Sequence, residues 1–113
     1  MKRLIKKASN NPMIRGIMNL SDKSNVEQSM FNIVKDIAGD IVSVDDNLTV
    51  MEIYEEVVKY LTEDANYISE HLDIPDELVD TLNSLDSNQT VELNNYLIDE
   101  FDITVEKAIE EVI

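Results

Sequence analysis

Thr49-Val50-Met51-Glu52-Ile53-Tyr54-Glu55-Glu56-Val57-Val58-Lys59-Tyr60-Leu61 is the stretch whose reading decides the fold. Val50, Ile53, Tyr54, Val57, Val58 and Leu61 recur at i, i+3, i+4, i+7, i+8 and i+11, which lays one apolar stripe along an α-helix. Thr49 and Glu52 stand in capping-box register, where hydroxyl and carboxylate each satisfy an amide of the first turn. A helix therefore starts at this point, and one of its faces needs a partner.

The same period extends outward in both directions. Upstream, Ser24-Asn25-Val26-Glu27 has a second capping-box form, and Val26, Met30, Ile33, Val34 and Ile37 follow on one face. Gly39 stands where a helix commonly ends in a left-handed residue, so Ile41, Val42 and Val44 read as a connector. Downstream the stripe continues through Ala65, Ile68 and Leu72, with a break and restart at Thr62-Glu63-Asp64. Pro75 sits near the start of a helix facing inward through Leu78, Val79, Leu82 and Leu85. Leu93, Tyr96, Leu97 and Phe101 mark a further helix, and Val105, Ala108, Ile109 and Val112 a last one. The expectation is an all-α fold, a small bundle of about five or six short helices.

Two phrases of the second half match at an offset of 29 residues: Tyr67-Ile68 with Tyr96-Leu97, and Asp73-Ile74-Pro75 with Asp102-Ile103-Thr104. A hydrophobic staple before each helix explains the match, with Leu48, Ile74 and Ile103 packing back on the turn that follows. Duplication of a helix-turn-helix unit and convergent capping chemistry both fit.

With 113 residues, the chain has the length of a single domain with one modest core. Its charge is uneven. Lys2, Arg3, Lys6, Lys7 and Arg15 give residues 1–21 a charge of +5 with no acid, whereas residues 22–113 carry −20, for a net −15. Between Tyr60 and Glu106 there are thirteen carboxylates and no Lys or Arg. The division expected from charge is a basic N-terminal arm, 1–21, and an acidic helical domain, 22–113. Lys6 and Lys7 directly follow Leu4-Ile5 and cut the apolar run short, so the start does not read as a secretory signal, although Leu4, Ile5 and Ala8 fit one face of an amphipathic helix. No run approaches the roughly 20 apolar residues of a membrane span.

Several chemistries find no constellation here. Cys is absent and His71 is the sole His, which excludes thiolate sites, His-based zinc sets and a Ser-His-Asp triad. Asp45, Asn47, Thr49 and Glu56 fit four positions of a calcium loop, yet Val50 occupies the position that requires Gly. Gly16 and Gly39 are the only glycines, so no phosphate-cradling loop exists. Residues 65–85 have helix-turn-helix form, but the second helix would present Asp76, Glu77 and Asp80 to phosphates that repel them. The expectation is a protein that is no enzyme, carries no cofactor and no metal, and does not bind duplex DNA through its acidic body.

The opening Met1-Lys2-Arg3-Leu4-Ile5-Lys6-Lys7-Ala8 resembles the short basic start of small proteins from Gram-positive phages and plasmids, among them inhibitors of RNA-guided CRISPR nucleases. The acidic helical body is similar in kind to phage-encoded DNA mimics that block restriction enzymes. This resemblance covers eight residues and overall character. It implies a counter-defence or host-takeover inhibitor in the cytoplasm of a bacterial host, docked in a basic groove.

From charge alone, the candidate partner-binding residues are Glu63, Asp64, Glu70, Asp73, Asp76, Glu77 and Asp80. Lys2, Arg3, Lys6 and Lys7 are candidates for contacting bound RNA or acidic protein. The expected partner is a bacterial nucleic-acid-binding protein, a nuclease above all, whose groove takes carboxylates in place of phosphates. Three other readings stay open. Acidity serves solubility equally well, a small helical interaction module would hide part of the Val/Ile stripe in a homodimer, and DNA binding through the basic arm alone predicts duplex affinity that disappears when residues 1–15 are deleted.

Overall fold

A computed structural model describes residues 12–64 and 66–113. They form seven α-helices: α1 (Pro12–Leu20), α2 (Lys23–Val44), α3 (Val50–Glu63), α4 (Tyr67–His71), α5 (Asp76–Asn83), α6 (Ser87–Glu100) and α7 (Asp102–Glu110). No strand occurs among the described residues, and the fold is a small all-α bundle.

At 22 residues, α2 is the spine, about 33 Å long at 1.5 Å per residue. It starts two residues earlier than the Ser24–Glu27 pattern suggests. Asp22 is the N-cap, its carboxylate accepting from the amides of Ser24 (2.9 Å) and Asn25 (3.4 Å). Glu27 is thereby freed for a tertiary role, accepting from the Thr104 hydroxyl at 3.0 Å. The helix also runs straight through Gly39, which has a negative φ, and ends only at Asp45. Ile41 and Val42, expected in a connector, are half-buried against the core, and that burial outweighs the weak helical preference of one glycine. The Asp45 carboxylate then accepts from the Asn47 amide at 3.0 Å and turns the chain toward α3.

The start of α3 is as the sequence predicts. Thr49 Oγ1 accepts from the Glu52 amide (3.2 Å), and Glu52 Oε1 accepts from the Thr49 amide (3.0 Å). A second capping box, Asp86 with Gln89, opens α6 and was not anticipated, because the acid stands where Ser or Thr is the usual cue.

The most extensive contact is between α2 and α7; α3 lies on both of them, and α6 packs on α3 and α7. Val26, Met30, Val34, Ile53, Val57, Leu61, Leu93, Leu97, Val105 and Ile109 fill the centre. Of the α3 stripe, Ile53, Tyr54, Val57 and Leu61 are buried within one chain, while Val50 and Val58 are half-buried. Deep in this packing, Asn94 Nδ2 donates to the Leu61 carbonyl at 3.4 Å, a polar tie between α6 and the end of α3.

Residues 12–20, grouped with the basic arm by charge, do not stand apart. Pro12 opens α1, Ile14 and Ile17 are fully buried in the core, and α1 packs against α5. Charge and burial part company here because Arg15 points outward while the two Ile residues face the bundle. Lys2, Arg3, Lys6 and Lys7, with Leu4, Ile5 and Ala8, lie outside the described residues, as does Ala65.

The staples divide. Leu48 and Ile74 pack against the core, but Ile103 is 70% exposed. Only Phe101 separates α6 from α7, and its ring takes the core position, which rotates Ile103 to solvent. Asp102 beside it is buried, although it is an acid. The two matched phrases are consequently different structures: Asp73 lies in an exposed turn, whereas Asp102 is the first residue of a helix.

Candidate interaction surface

All seven candidate carboxylates of residues 63–80 are exposed. Glu63 ends α3, and Asp64 follows as its C-cap, with its amide donating to the Tyr60 carbonyl at 2.9 Å. Glu70 belongs to α4 and Asp73 to the turn after it. Asp76 and Glu77 occupy the first turn of α5, where the helix dipole favours negative charge, and Asp80 follows one turn on. No ion pair joins any of the seven to a described Lys or Arg; the described ion pair is Lys23 with Glu100, at 3.6 Å.

Two packing neighbourhoods divide the set. α4 lies on α2, whereas α5 lies on α1. The short α4 is fixed by aromatic contacts: Tyr67 meets Tyr60 of α3 edge-on at 5.4 Å and stacks on His71 at 4.4 Å. His71 Nδ1 lies 2.8 Å from the Tyr67 carbonyl, so the sole His side chain bonds back within its own helix. The following turn is tethered to the spine, because the Asp73 amide donates to Ser29 Oγ at 3.0 Å while Ser29 Oγ donates to the Asn25 carbonyl at 2.9 Å.

Between α2 and α4 this leaves a cleft of about 250 Å3. Asn25, Gln28, Asn32 and Asp36 line it from α2, with His71 and Asp73 opposite. Asp73 is the one candidate carboxylate that lines it. Asp36 and Asp40 were missed by the sequence reading, which stopped at the Lys/Arg-free span; their four-residue spacing on the outer face of α2 is the signal that marks them. Their reach is visible at Tyr67, whose hydroxyl titrates above its ordinary value. Burial is the first cause, followed by Tyr60 and by the carboxylates Asp36, Asp40 and Asp64. The negative field thus spans α2 and the α3–α4 junction.

The calcium-loop positions have structural duties instead: Asp45 and Thr49 cap helices, and Asn47 closes the turn between them. Among the described residues no group of three or more His, Asp and Glu side chains is placed to hold a metal ion. No described helix is long and apolar enough to cross a membrane.

The class defined by these observations is a small acidic all-α bundle with an outward-facing field of carboxylates. Comparison with known proteins finds no matching family model, no matching curated relative and no matching solved structure.

Proposed function

We propose that the chain is a non-enzymatic inhibitor that binds the basic nucleic-acid groove of a bacterial protein, a defence nuclease such as an RNA-guided one above all. Its carboxylates take the place of backbone phosphates. The observation that carries this reading is that Glu63, Asp64, Glu70, Asp73, Asp76, Glu77 and Asp80 are all exposed and none is ion-paired with a described Lys or Arg. Like charges kept together on a small domain repel one another, at roughly 0.2–0.5 kcal/mol for each pair a helical turn apart. A basic groove reverses the sign of that term. It also accelerates encounter, and releases the ions that each surface otherwise condenses. On this reading Lys2, Arg3, Lys6 and Lys7 contact RNA or acidic protein in the same complex, and the complex forms in the bacterial cytoplasm.

The test begins with affinity capture of the partner from bacterial lysate, with and without nuclease treatment. Affinity of the purified pair is then measured against salt and against competing duplex DNA, for the native chain and for Asp76→Lys/Glu77→Lys/Asp80→Lys. The expected result is a steep loss of affinity with salt, displacement by DNA, and at least about tenfold weaker binding by the reversed variant. Equal binding by the reversed variant, or indifference to DNA, would sink the reading.

A further inference from the structure

The end of α2, the connection 45–49 and the first half of α3 enclose a groove of about 580 Å3, larger than the cleft beside α4. Its apolar surface comes from Ile41, Val44 and Leu48, and Val44 is 88% exposed although it is β-branched and aliphatic. Acids rim it on both sides: Asp40 and Asp45 from the α2 side, Glu52, Glu55 and Glu56 from α3. Asp45 and Glu52 are partly spent on the turn and the cap, which leaves Asp40, Glu55 and Glu56 as charges facing water. Among the described residues no Lys or Arg lines the groove; Lys59 lies one helical turn beyond Glu55, outside it.

A second source of negative potential points to the same place. The 22-residue α2 ends here, and its last turn has no basic residue to offset the partial negative charge of its terminal carbonyls. An apolar floor left in water, acids on both walls and the negative pole of the longest described helix together specify one kind of occupant. It is cationic at its edges and aliphatic at its centre.

We propose that this groove docks a cationic amphipathic segment of another protein, a stretch in which Lys or Arg residues flank bulky aliphatic ones. The aliphatic side chains cover Val44 and Leu48, while the flanking cations reach Asp40, Glu55 and Glu56. Lys and Arg suit both walls, since their methylene stems lie along apolar surface while the heads stay with the acids. Nucleic acid is repelled by the rim and gains nothing from the floor. The groove is separate from the carboxylates of residues 63–80, so this proposal stands or falls independently of the inhibitor reading.

The experiment uses the full-length chain and, as probe, a short amidated Leu/Lys helical peptide, followed by calorimetry and by methyl NMR. The expected result is saturable binding that shifts the Ile41, Val44 and Leu48 methyl resonances. Val44→Asp weakens it at least about tenfold, the equivalent of one lost aliphatic contact. Because Val44 is exposed, that variant keeps the fold, which its urea midpoint verifies. Glu55→Gln/Glu56→Gln also weakens binding, whereas Asp76→Asn/Asp80→Asn, removing the same charge from α5, changes it by less than about twofold.

Equal loss in the two double variants, or equal affinity for a peptide with Ser in place of each Leu, would assign binding to the overall charge and overturn the proposal. Two further results would also overturn it. One is peptide binding gained only when Lys2, Arg3, Lys6 and Lys7 are replaced by Glu, which gives the groove to this chain's own leader. The other is concentration-dependent self-association that shifts the same methyls, which gives it to a second copy.

Discussion

The Tyr54 hydroxyl of α3 donates a hydrogen bond to the Asp102 carboxylate at the start of α7, joining two buried residues 48 positions apart. A carboxylate is costly to bury unless it is hydrogen-bonded, and Asp102 meets that cost twice: through the Tyr54 hydroxyl, and through its place in the first turn of a helix, where the dipole favours negative charge. The pair ties α3 to α7.

Tyr54→Phe keeps the ring in the core and removes the hydroxyl that donates to Asp102. Unfolding free energy from urea titration is expected to fall by about 1.5–3 kcal/mol, the range for a hydrogen bond to a charged group. Tyr60→Phe, at a half-exposed ring, serves as the control and changes stability far less. Equal effects of the two would mean that the buried bond contributes little.

Ile17 is 1% exposed on a helix that charge alone would assign to a detached arm. Ile17→Ala is expected to cost about 2–5 kcal/mol, as for other aliphatic truncations in a core. A denaturation midpoint unmoved by this substitution would show that α1 contributes nothing to the cooperative unit.

Gly39 lies inside α2 with a negative φ, and a Cβ built there meets nothing within 4 Å. Gly39→Ala is therefore expected to raise stability by about 0.5–1 kcal/mol by reducing the freedom of the unfolded chain. Circular dichroism and urea midpoints check it; destabilisation would mean that the helix needs the glycine.

The hydroxyls of Tyr67 and Tyr96 both titrate above the ordinary 10.0, each first because of burial; Tyr96 also feels Glu100. The protonated form is the one the folded state favours. Their contribution to stability is thus fully present below pH 10 and is lost as pH rises through the folded-state values. Phenolate absorbance is expected to develop at higher pH in the folded chain than in urea, and Tyr67→Phe/Tyr96→Phe to flatten the alkaline loss of stability. An unchanged alkaline slope would rule out this linkage.

Periodicity carried α3 from start to end because its signals are local: a Thr49/Glu52 box and a stripe within eleven residues. The same reasoning misplaced the end of α2. Gly39 is a stop signal only when nothing buries the turn beyond it, and the half-burial of Ile41 and Val42 depends on parts of the chain distant in sequence. Ile103 left its expected staple position, and the acid Asp102 beside it was buried, for a related reason. A junction of one residue, Phe101, sets the rotation of α7, and no local pattern records that rotation.

The same division holds for surfaces. Exposure of the carboxylates from Glu63 to Asp80 was legible, since runs of acid without counter-charge seldom leave water. That Asp36 and Asp73 share a cleft, and that Val44 stands bare between Asp40 and Glu55, came from the tertiary structure. By itself, the sequence determined helix content, the acidity of the body and the absence of Cys-based chemistry, because propensity, capping and composition act within a few residues. Only packing decided which helices meet, which acid is buried and where apolar surface stays uncovered. Those outcomes depend on contacts between residues far apart in the chain.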